Sequence, residues 1–223
     1  MRGLSIFGRS HRIEQRRADT VIKALMIDVD GVLVIGRPSD GRHWAAALQA
    51  DLGLNFDDLQ AAFFKPHWEE IVTGRADLRE RLADILVRIA AGLTAEQVLT
   101  YWFSQDARLN ADLLGELAAL RSRGLRIYLA TNQEHERMGH LLHTLGLAAH
   151  IDGCHYSAAI GHRKPTREFF DAVALKVHLS PSEIILIDDD EENIRAAIAA
   201  GWRASRWTGR ERIADLVERC ATS

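Results

Sequence analysis

Three short apolar runs, each ending in polar or acidic residues, constrain the fold of this chain more than any other feature. They lie within residues 23–31, 125–132 and 183–190, and weaker runs lie at 150–157 and 203–207. A continuous apolar run that stops at a turn is typical of a strand buried on both faces, as in a parallel sheet. These segments are therefore the predicted strands.

Amphipathic segments alternate with the predicted strands. Leucines at helical spacing mark 110–123 and 134–145, and a glycine that is typical of a helix end follows each segment. Further helices are predicted at 165–177 and 191–200. Strand–helix alternation of this kind predicts an α/β fold with a doubly wound, parallel, Rossmann-like sheet.

One segment after the first predicted strand interrupts this alternation. Residues 37–105 carry amphipathic helical patterns but no convincing strand, and Thr94 and Gln97 form a capping-box signature. No Pro-, Gly- or Ser-rich linker flanks the segment, which favours a helical insert over an independent domain. The predicted organisation is an N-terminal arm over 1–20, a core over 21–36 and 106–223, and a helical cap over 37–105.

Composition and charge exclude several classes of protein. A chain of 223 residues with 47% apolar and 26% charged residues can bury a core, and it does not resemble a disordered protein. No apolar run approaches the ~18 residues of a membrane span. The two cysteines are far apart and no signal-peptide pattern is present, so we expect a cytoplasmic protein without a disulfide framework or structural zinc.

Charge is distributed unevenly along the chain. The net charge of −3 argues against a nucleic-acid partner, but the arm over 1–20 is basic, with five arginines against two acids. An arm for anionic surfaces and a solvated, flexible terminus both account for this charge. We expect the flexible terminus.

Polar side chains end all three strong predicted strands. Because the carboxyl ends of parallel strands meet at one edge of a sheet, ligands bind there, and we expect these side chains to converge. Carboxylates at that edge would repel one another unless a cation lay among them, and oxygen ligands suit Mg²⁺. The residues are Asp28, Asp30, Thr131, Asn132, Asp188 and Asp189.

The spacing of Asp28 and Asp30 is also informative. Alternate residues of a strand point the same way, so both carboxylates can face one ligand beyond the strand end. One could attack as a nucleophile while the other transfers a proton, and an aspartate that attacks phosphorus forms an aspartyl-phosphate.

Four segments together resemble the motifs of the haloacid dehalogenase (HAD) superfamily. Asp-Val-Asp-Gly-Val-Leu at 28–33 is similar to the first motif, and Leu-Ala-Thr-Asn at 129–132 is similar to the second. Gly-His-Arg-Lys-Pro at 161–165 resembles the lysine motif, and residues 187–193 resemble the Asp-Asp-x-x-x-Asn motif. The insert at 37–105 resembles the small helical (C1) cap of phosphatase-like members.

The resemblance implies a role for each acid at the predicted sheet edge. Asp28 would be the nucleophile and a Mg²⁺ ligand, and Asp30 would be the general acid/base whose main-chain carbonyl also binds the ion. Asp189 would be the principal acidic metal ligand of the fourth motif, with Asp188 beside it or acting through water.

The remaining implied residues would bind the substrate. Thr131 would hydrogen-bond the phosphoryl group with Asn132 beside it, and Lys164 would offset the negative charge of the phosphate. Arg37 lies in a Gly-Arg-Pro segment that could form a hinge and flap. Cap residues that could face the site, or pack and solvate the cap itself, are Arg37, His43, Trp44, Lys65, His67 and Trp68.

The resemblance predicts a Mg²⁺-dependent phosphatase that hydrolyses a small phosphomonoester, with a sugar phosphate as the expected metabolite. Asp30 favours this activity over that of a haloacid dehalogenase, since dehalogenases of the superfamily keep no acid there. A phosphomutase and a non-catalytic HAD-like binding module would carry similar motifs. Thr166 departs from the Asp that often follows Lys-Pro in the family, and both a monomer and a homodimer fit the sequence.

Overall fold

The computed structural model describes residues 21–222 and contains a five-stranded parallel sheet. The strand order across the sheet is β3-β2-β1-β4-β5, and each strand lies within a segment predicted to be a strand. This topology confirms the predicted α/β fold. The strands are β1 (Ala24–Ile27), β2 (Arg126–Thr131), β3 (Gly153–Tyr156), β4 (Ile184–Asp188) and β5 (Arg203–Arg206).

Apolar residues cover both faces of the central strand. Every residue of β1 is buried, and Leu25 and Ile27 belong to one hydrophobic cluster while Ala24 and Met26 belong to another. Side chains of a strand alternate between its two faces, so a strand without polar residues must be covered on both. The apolar run in the sequence therefore accounts for the central position of β1.

Helices cover the two faces of the sheet and also form the insert after β1. In chain order they are α1 (Leu48–Leu52), α2 (Phe56–Leu59), α3 (Lys65–Val72), α4 (Leu78–Ile89), α5 (Ala95–Gln105), α6 (Ala111–Ser122), α7 (His135–Gly139), α8 (Ser157–Ile160), α9 (Arg167–Val177), α10 (Glu191–Ala199) and α11 (Ile213–Thr222). Helices α6, α7 and α11 pack into one sheet cluster, and α9 and α10 pack into the other. None of the helices within 21–222 is long and apolar enough to cross a membrane.

Helices α1 to α5 form the cap, which packs around its own aromatic cluster. The rings of Trp44 and Trp102 stack with centroids 5.3 Å apart, and Phe64 lies edge-on to both. Phe63 is 1% exposed in the same cluster. Burying one such side chain contributes about 1.5–3 kcal/mol. The cap thus has a hydrophobic core of its own, distinct from the two sheet clusters.

The helices of the cap are more continuous than the sequence predicts. The sequence assigns a helix to 57–64 and none to 65–72, but the chain runs from α2 through a π-helical segment, Gln60–Phe64, into α3. Pro66 lies in the first turn of α3, where a missing N–H costs little. The predicted capping box is confirmed, with reciprocal hydrogen bonds between Thr94 and Gln97. The predicted arm over 1–20 lies outside the described residues.

Candidate active site

The carboxyl ends of β1 and β4 meet at one edge of the sheet. Ile27 is in register with Ile187, and the main-chain N–H of Asp28 donates to the carbonyl of Ile187 at 3.0 Å. The next residues of the two strands, Asp28 and Asp188, therefore lie side by side. The topology of the sheet thus brings together two acids that are 160 positions apart in the chain.

Lys164 joins these two carboxylates. Its Nζ lies 3.0 Å from Asp28 Oδ1 and 2.5 Å from Asp188 Oδ2, and its side chain is 1% exposed. Burial lowers the pKa of Lys164, but the two carboxylates raise it more, so that the net shift is upward. The lysine is therefore protonated and compensates one of two negative charges that are shielded from water.

Asn132 holds the main chain of Lys164 in place. Its Nδ2 donates to the Lys164 carbonyl at 2.9 Å, and its Oδ1 accepts from the Lys164 N–H at 2.8 Å. These two bonds tie the end of β2 to the loop before α9, which delivers the lysine side chain to the sheet edge. Thr131, the neighbouring residue, ends β2 and is buried.

Asp188 is fully buried and held from two sides. Asn193 Nδ2 lies 3.1 Å from each of its carboxylate oxygens, and the main-chain N–H of Asp190 donates to Oδ1 at 2.9 Å. Asn193 lies in the first turn of α10, so the start of this helix carries the donor back to the end of β4. This contact gives a physical reason for the five-residue spacing between Asp188 and Asn193.

Three carboxylates form a group that fits a metal ion. One oxygen from each of Asp28, Asp188 and Asp189 lies within 4.8 Å of the other two. Lys164 leaves this group with an excess of negative charge, and burial raises the pKa of Asp28 to about 7 despite the opposing effect of Lys164. An all-oxygen donor set that lacks positive charge suits a hard dication such as Mg²⁺.

Gly31 allows the turn after β1 to approach Asp189 closely. Its φ of 76° lies in the left-handed region, and a Cβ at this position would lie 2.2 Å from Asp189 Oδ2. Any side chain here would strain the backbone and displace the carboxylate. The glycine that follows Asp30 in the sequence is therefore required by the geometry of the acid group.

Asp30 extends from β1 towards α7 instead of joining the grouped carboxylates. Its side chain is 54% exposed, and Gln133 Nε2 donates to its Oδ2 at 2.6 Å. Arg137 Nη2 lies 4.0 Å from Asp30 Oδ1. The carboxylate of Asp30 is thus available to a ligand above the sheet edge, and the metal role that the family resemblance implies for Asp30 rests on its main-chain carbonyl.

Sequence reasoning missed Gln133 and Arg137, although both contact a predicted site residue. The available signal was the run of polar residues at 132–137 directly after the second motif. Polar residues at the start of a helix are common, however, and the sequence does not reveal that two of them turn back to Asp30.

A cavity of about 410 Å³ lies between Asp30 and the cap. Its lining includes Asp106 and three rings of the cap, those of His43, Trp44 and Trp102. Two of the cap residues expected near the substrate, His43 and Trp44, therefore border the space next to Asp30. The cavity is the natural location for the part of a ligand that lies beyond its reacting group.

Other candidate cap residues are placed elsewhere. Arg37 pairs through its Nε with Asp40 Oδ1 at 3.3 Å, and it does not belong to the cavity lining. Trp68 packs against Trp102, with ring centroids 5.9 Å apart, inside the cap cluster. Lys65 is exposed and His67 is partly buried, and neither borders the cavity.

Comparisons with known proteins agree with this geometry. The sesquiterpene phosphatase astK of Aspergillus oryzae is 26% identical over 187 residues, which cover 82% of this chain and 88% of the relative. The D-ribitol-5-phosphate phosphatase of Bacteroides thetaiotaomicron is 26% identical over 196 residues, which cover 82% and 90%.

A solved structure has a similar fold. It is a HAD family enzyme of Bacteroides thetaiotaomicron in complex with magnesium and inorganic phosphate. The likeness has a TM-score of 0.73 at 21% identity and covers 87% of this chain and 98% of the other. The profile of haloacid dehalogenase-like hydrolases matches residues 22–201. A match over most of the chain shows that this protein belongs to the haloacid dehalogenase-like hydrolase family.

Proposed function

We propose that this protein is a Mg²⁺-dependent phosphatase that hydrolyses a small phosphomonoester through an aspartyl-phosphate intermediate. The observation that carries the proposal is the arrangement of Asp28, Lys164 and Asp188 at the sheet edge, with Asp30 two residues beyond the nucleophile. The two relatives that are named as phosphatases support the same reaction class.

In the first half-reaction, a carboxylate oxygen of Asp28 attacks phosphorus as the bond from phosphorus to the leaving oxygen breaks. Asp30 donates a proton to that oxygen, so the product leaves as a neutral alcohol. In the second half-reaction, Asp30 accepts a proton from water, and the resulting hydroxide attacks the phosphorus of the aspartyl-phosphate. Asp28 is released as a carboxylate, and the net change is ester plus water to alcohol plus phosphate.

The remaining polar groups stabilise and orient the phosphoryl group. Lys164 supplies positive charge beside Asp28, and Thr131 is proposed to donate its hydroxyl to a phosphoryl oxygen. Asn132 acts on this step indirectly, by fixing the main chain of Lys164.

Asp28, Asp188 and Asp189 would hold Mg²⁺, together with the main-chain carbonyl of Asp30. When bound, the ion would supply charge neutralisation for the nucleophile and the phosphoryl oxygens. The metal would also lower the pKa of Asp28, which burial alone raises to about 7, and so maintain the nucleophile in its ionised form.

The cap cavity is proposed to bind the alcohol part of the ester. A sugar phosphate is the first candidate, because the flanking Asp106 and His43 can hydrogen-bond hydroxyl groups and the rings of Trp44 and Trp102 can pack on C–H surfaces. The names of the relatives add a phosphorylated polyol and an isoprenoid phosphate to the compounds that should be tested.

The first experiment measures phosphate release from p-nitrophenyl phosphate with Mg²⁺ and with a chelator. We expect turnover only with Mg²⁺, and a loss of at least about a thousandfold in Asp28→Asn because no other carboxylate can replace the nucleophile. Asp84→Asn, a substitution of an exposed aspartate in α4 of the cap, is the matched control and should retain wild-type activity.

Two outcomes would contradict the proposal. One is an Asp28→Asn variant that retains activity within tenfold of the wild type. The other is halide release from a haloacid without metal, which would favour a haloacid dehalogenase. A panel of sugar, polyol and isoprenoid monophosphates, compared by kcat/KM, then identifies the substrate class.

A further inference from the structure

We infer that Gln133 and Arg137 are positioning residues for Asp30, and that they link the orientation of its carboxyl group to the seating of the cap. This inference rests on the proposed phosphatase function, in which Asp30 transfers protons. It concerns two side chains that take no direct part in the chemistry.

Asp30 needs a support because it lies on the open side of the sheet edge. Its side chain is 54% exposed, and an exposed aspartate samples several rotamers. The amide of Gln133 donates to Oδ2 at 2.6 Å. This bond occupies one carboxyl oxygen and leaves Oδ1 as the oxygen that can carry the transferred proton.

Gln133 is itself held firmly. It is 3% exposed, and its main-chain carbonyl accepts from Ser157 Oγ at 3.1 Å and from the Ala158 N–H at 3.2 Å. These bonds connect the segment after β2 to the start of α8. A donor on such a fixed backbone can define the orientation of its acceptor.

Arg137 supports Asp30 from the second side and reaches the cap at the same time. Its side chain is 1% exposed, and its Nη2 donates to the carbonyl and to Oδ2 of Asp106 at 2.6 and 3.0 Å. Asp106 ends α5, the last helix of the cap, and the guanidinium also lies over the ring of Phe103 at 5.5 Å. The same guanidinium group lies 4.0 Å from Asp30 Oδ1, so the end of the cap and Asp30 share one cation.

A purely structural role predicts a different kinetic signature from a positioning role. Protonation of the leaving oxygen matters greatly for phenolate, which is a strong base, and little for p-nitrophenolate, which is a weak one. Misplacing Asp30 should therefore slow phenyl phosphate far more than p-nitrophenyl phosphate. General misfolding or loss of the cap should slow both substrates equally.

The test compares kcat for these two aryl phosphates in Gln133→Leu and Arg137→Lys. We expect the ratio of the p-nitrophenyl to the phenyl rate to rise about tenfold or more in each variant, with Asp30→Asn giving the upper limit. In the Asp30→Asn background, Gln133→Leu should change the ratio no further, because the group that it positions is gone.

Arg79→Met is the matched control. Arg79 also bridges the cap and α7, through Glu96 and through Glu136 at 2.6 Å, but neither of these partners is Asp30. Its substitution should leave the ratio of rates unchanged. Gln133→Asn, which retains an amide that is too short to reach Asp30, decides the question if Gln133→Leu does not fold.

Equal slowing of both substrates in the Gln133 and Arg137 variants would overturn the inference while leaving the phosphatase function intact. A wild-type protein that hydrolyses neither aryl phosphate in the presence of Mg²⁺ would instead overturn the proposed function, and the inference with it.

Discussion

The site at the sheet edge and the cap above it are built in opposite ways. At the sheet edge, charged groups are buried, and Lys164 and Asp188 have exposures of 1% and 0%. The cap buries aromatic rings in its own cluster and meets the core through exposed ion pairs, such as Arg163 with Glu69 at 3.1 Å. The difference indicates that the core fixes the chemistry by rigid burial, whereas the cap is held to it by weak, replaceable contacts.

The largest effect is expected from removing the buried cation. Lys164→Met leaves Asp28 and Asp188 without their shared partner, and an uncompensated buried charge costs about 3–5 kcal/mol of unfolding free energy. Urea unfolding measures this loss, and added Mg²⁺ should restore part of it by binding the carboxylate group.

The matched substitution in the cap is Lys65→Met. Lys65 is exposed at the start of α3, so we expect a change below about 0.5 kcal/mol and no response to Mg²⁺. Similar losses of stability in the two lysine variants would remove the proposed distinction between the core and the cap.

The same contrast explains what the sequence could predict. The parallel sheet and the convergence of Asp28, Asp188 and Asp189 follow from apolar runs that end in acids, because strand topology alone brings those ends together. No side-chain packing has to be known for this step. The prediction succeeded where the main chain determines the geometry.

The contacts that escaped prediction depend on the path of loops and helices in three dimensions. Asn132 uses both ends of its amide on the main chain of Lys164, which is 32 positions away. Gln133 lies 103 positions from its acceptor, Asp30. Neither pairing has a local sequence period, and the order of helices in the cap was likewise obscured where α3 continues from a π-helical segment.

Two glycines with similar backbones sharpen the comparison. Gly31 in the core has φ 76° and Gly53 in the cap has φ 71°, so an alanine at either position costs about 1–2 kcal/mol of backbone strain. A Cβ at Gly31 would lie 2.2 Å from Asp189 Oδ2, whereas nothing lies within 4 Å of one at Gly53. We therefore expect similar losses of thermal stability from both substitutions.

Their metal dependence should differ. Gly31→Ala should raise the Mg²⁺ concentration for half-maximal activity by about tenfold, because the carboxylate of Asp189 must move. Gly53→Ala should leave this concentration unchanged, and a Mg²⁺ titration of the two variants measures both values. An unchanged requirement in Gly31→Ala would mean that Asp189 contributes little to the metal site.

The smallest effect is expected where the cap meets the core through charge alone. Glu69 is 60% exposed and pairs with Arg163 at 3.1 Å and with Arg75 at 3.8 Å. Because solvent screens such pairs, Glu69→Gln should change the unfolding free energy by no more than about 0.5 kcal/mol and KM by no more than about twofold. Kinetics at low and high salt measure the electrostatic part, since salt weakens exposed pairs in the wild type but finds none at this position in the variant. A severalfold, salt-dependent rise in KM would mean that this ion pair, and not the packing of the cap, holds the cap over the site.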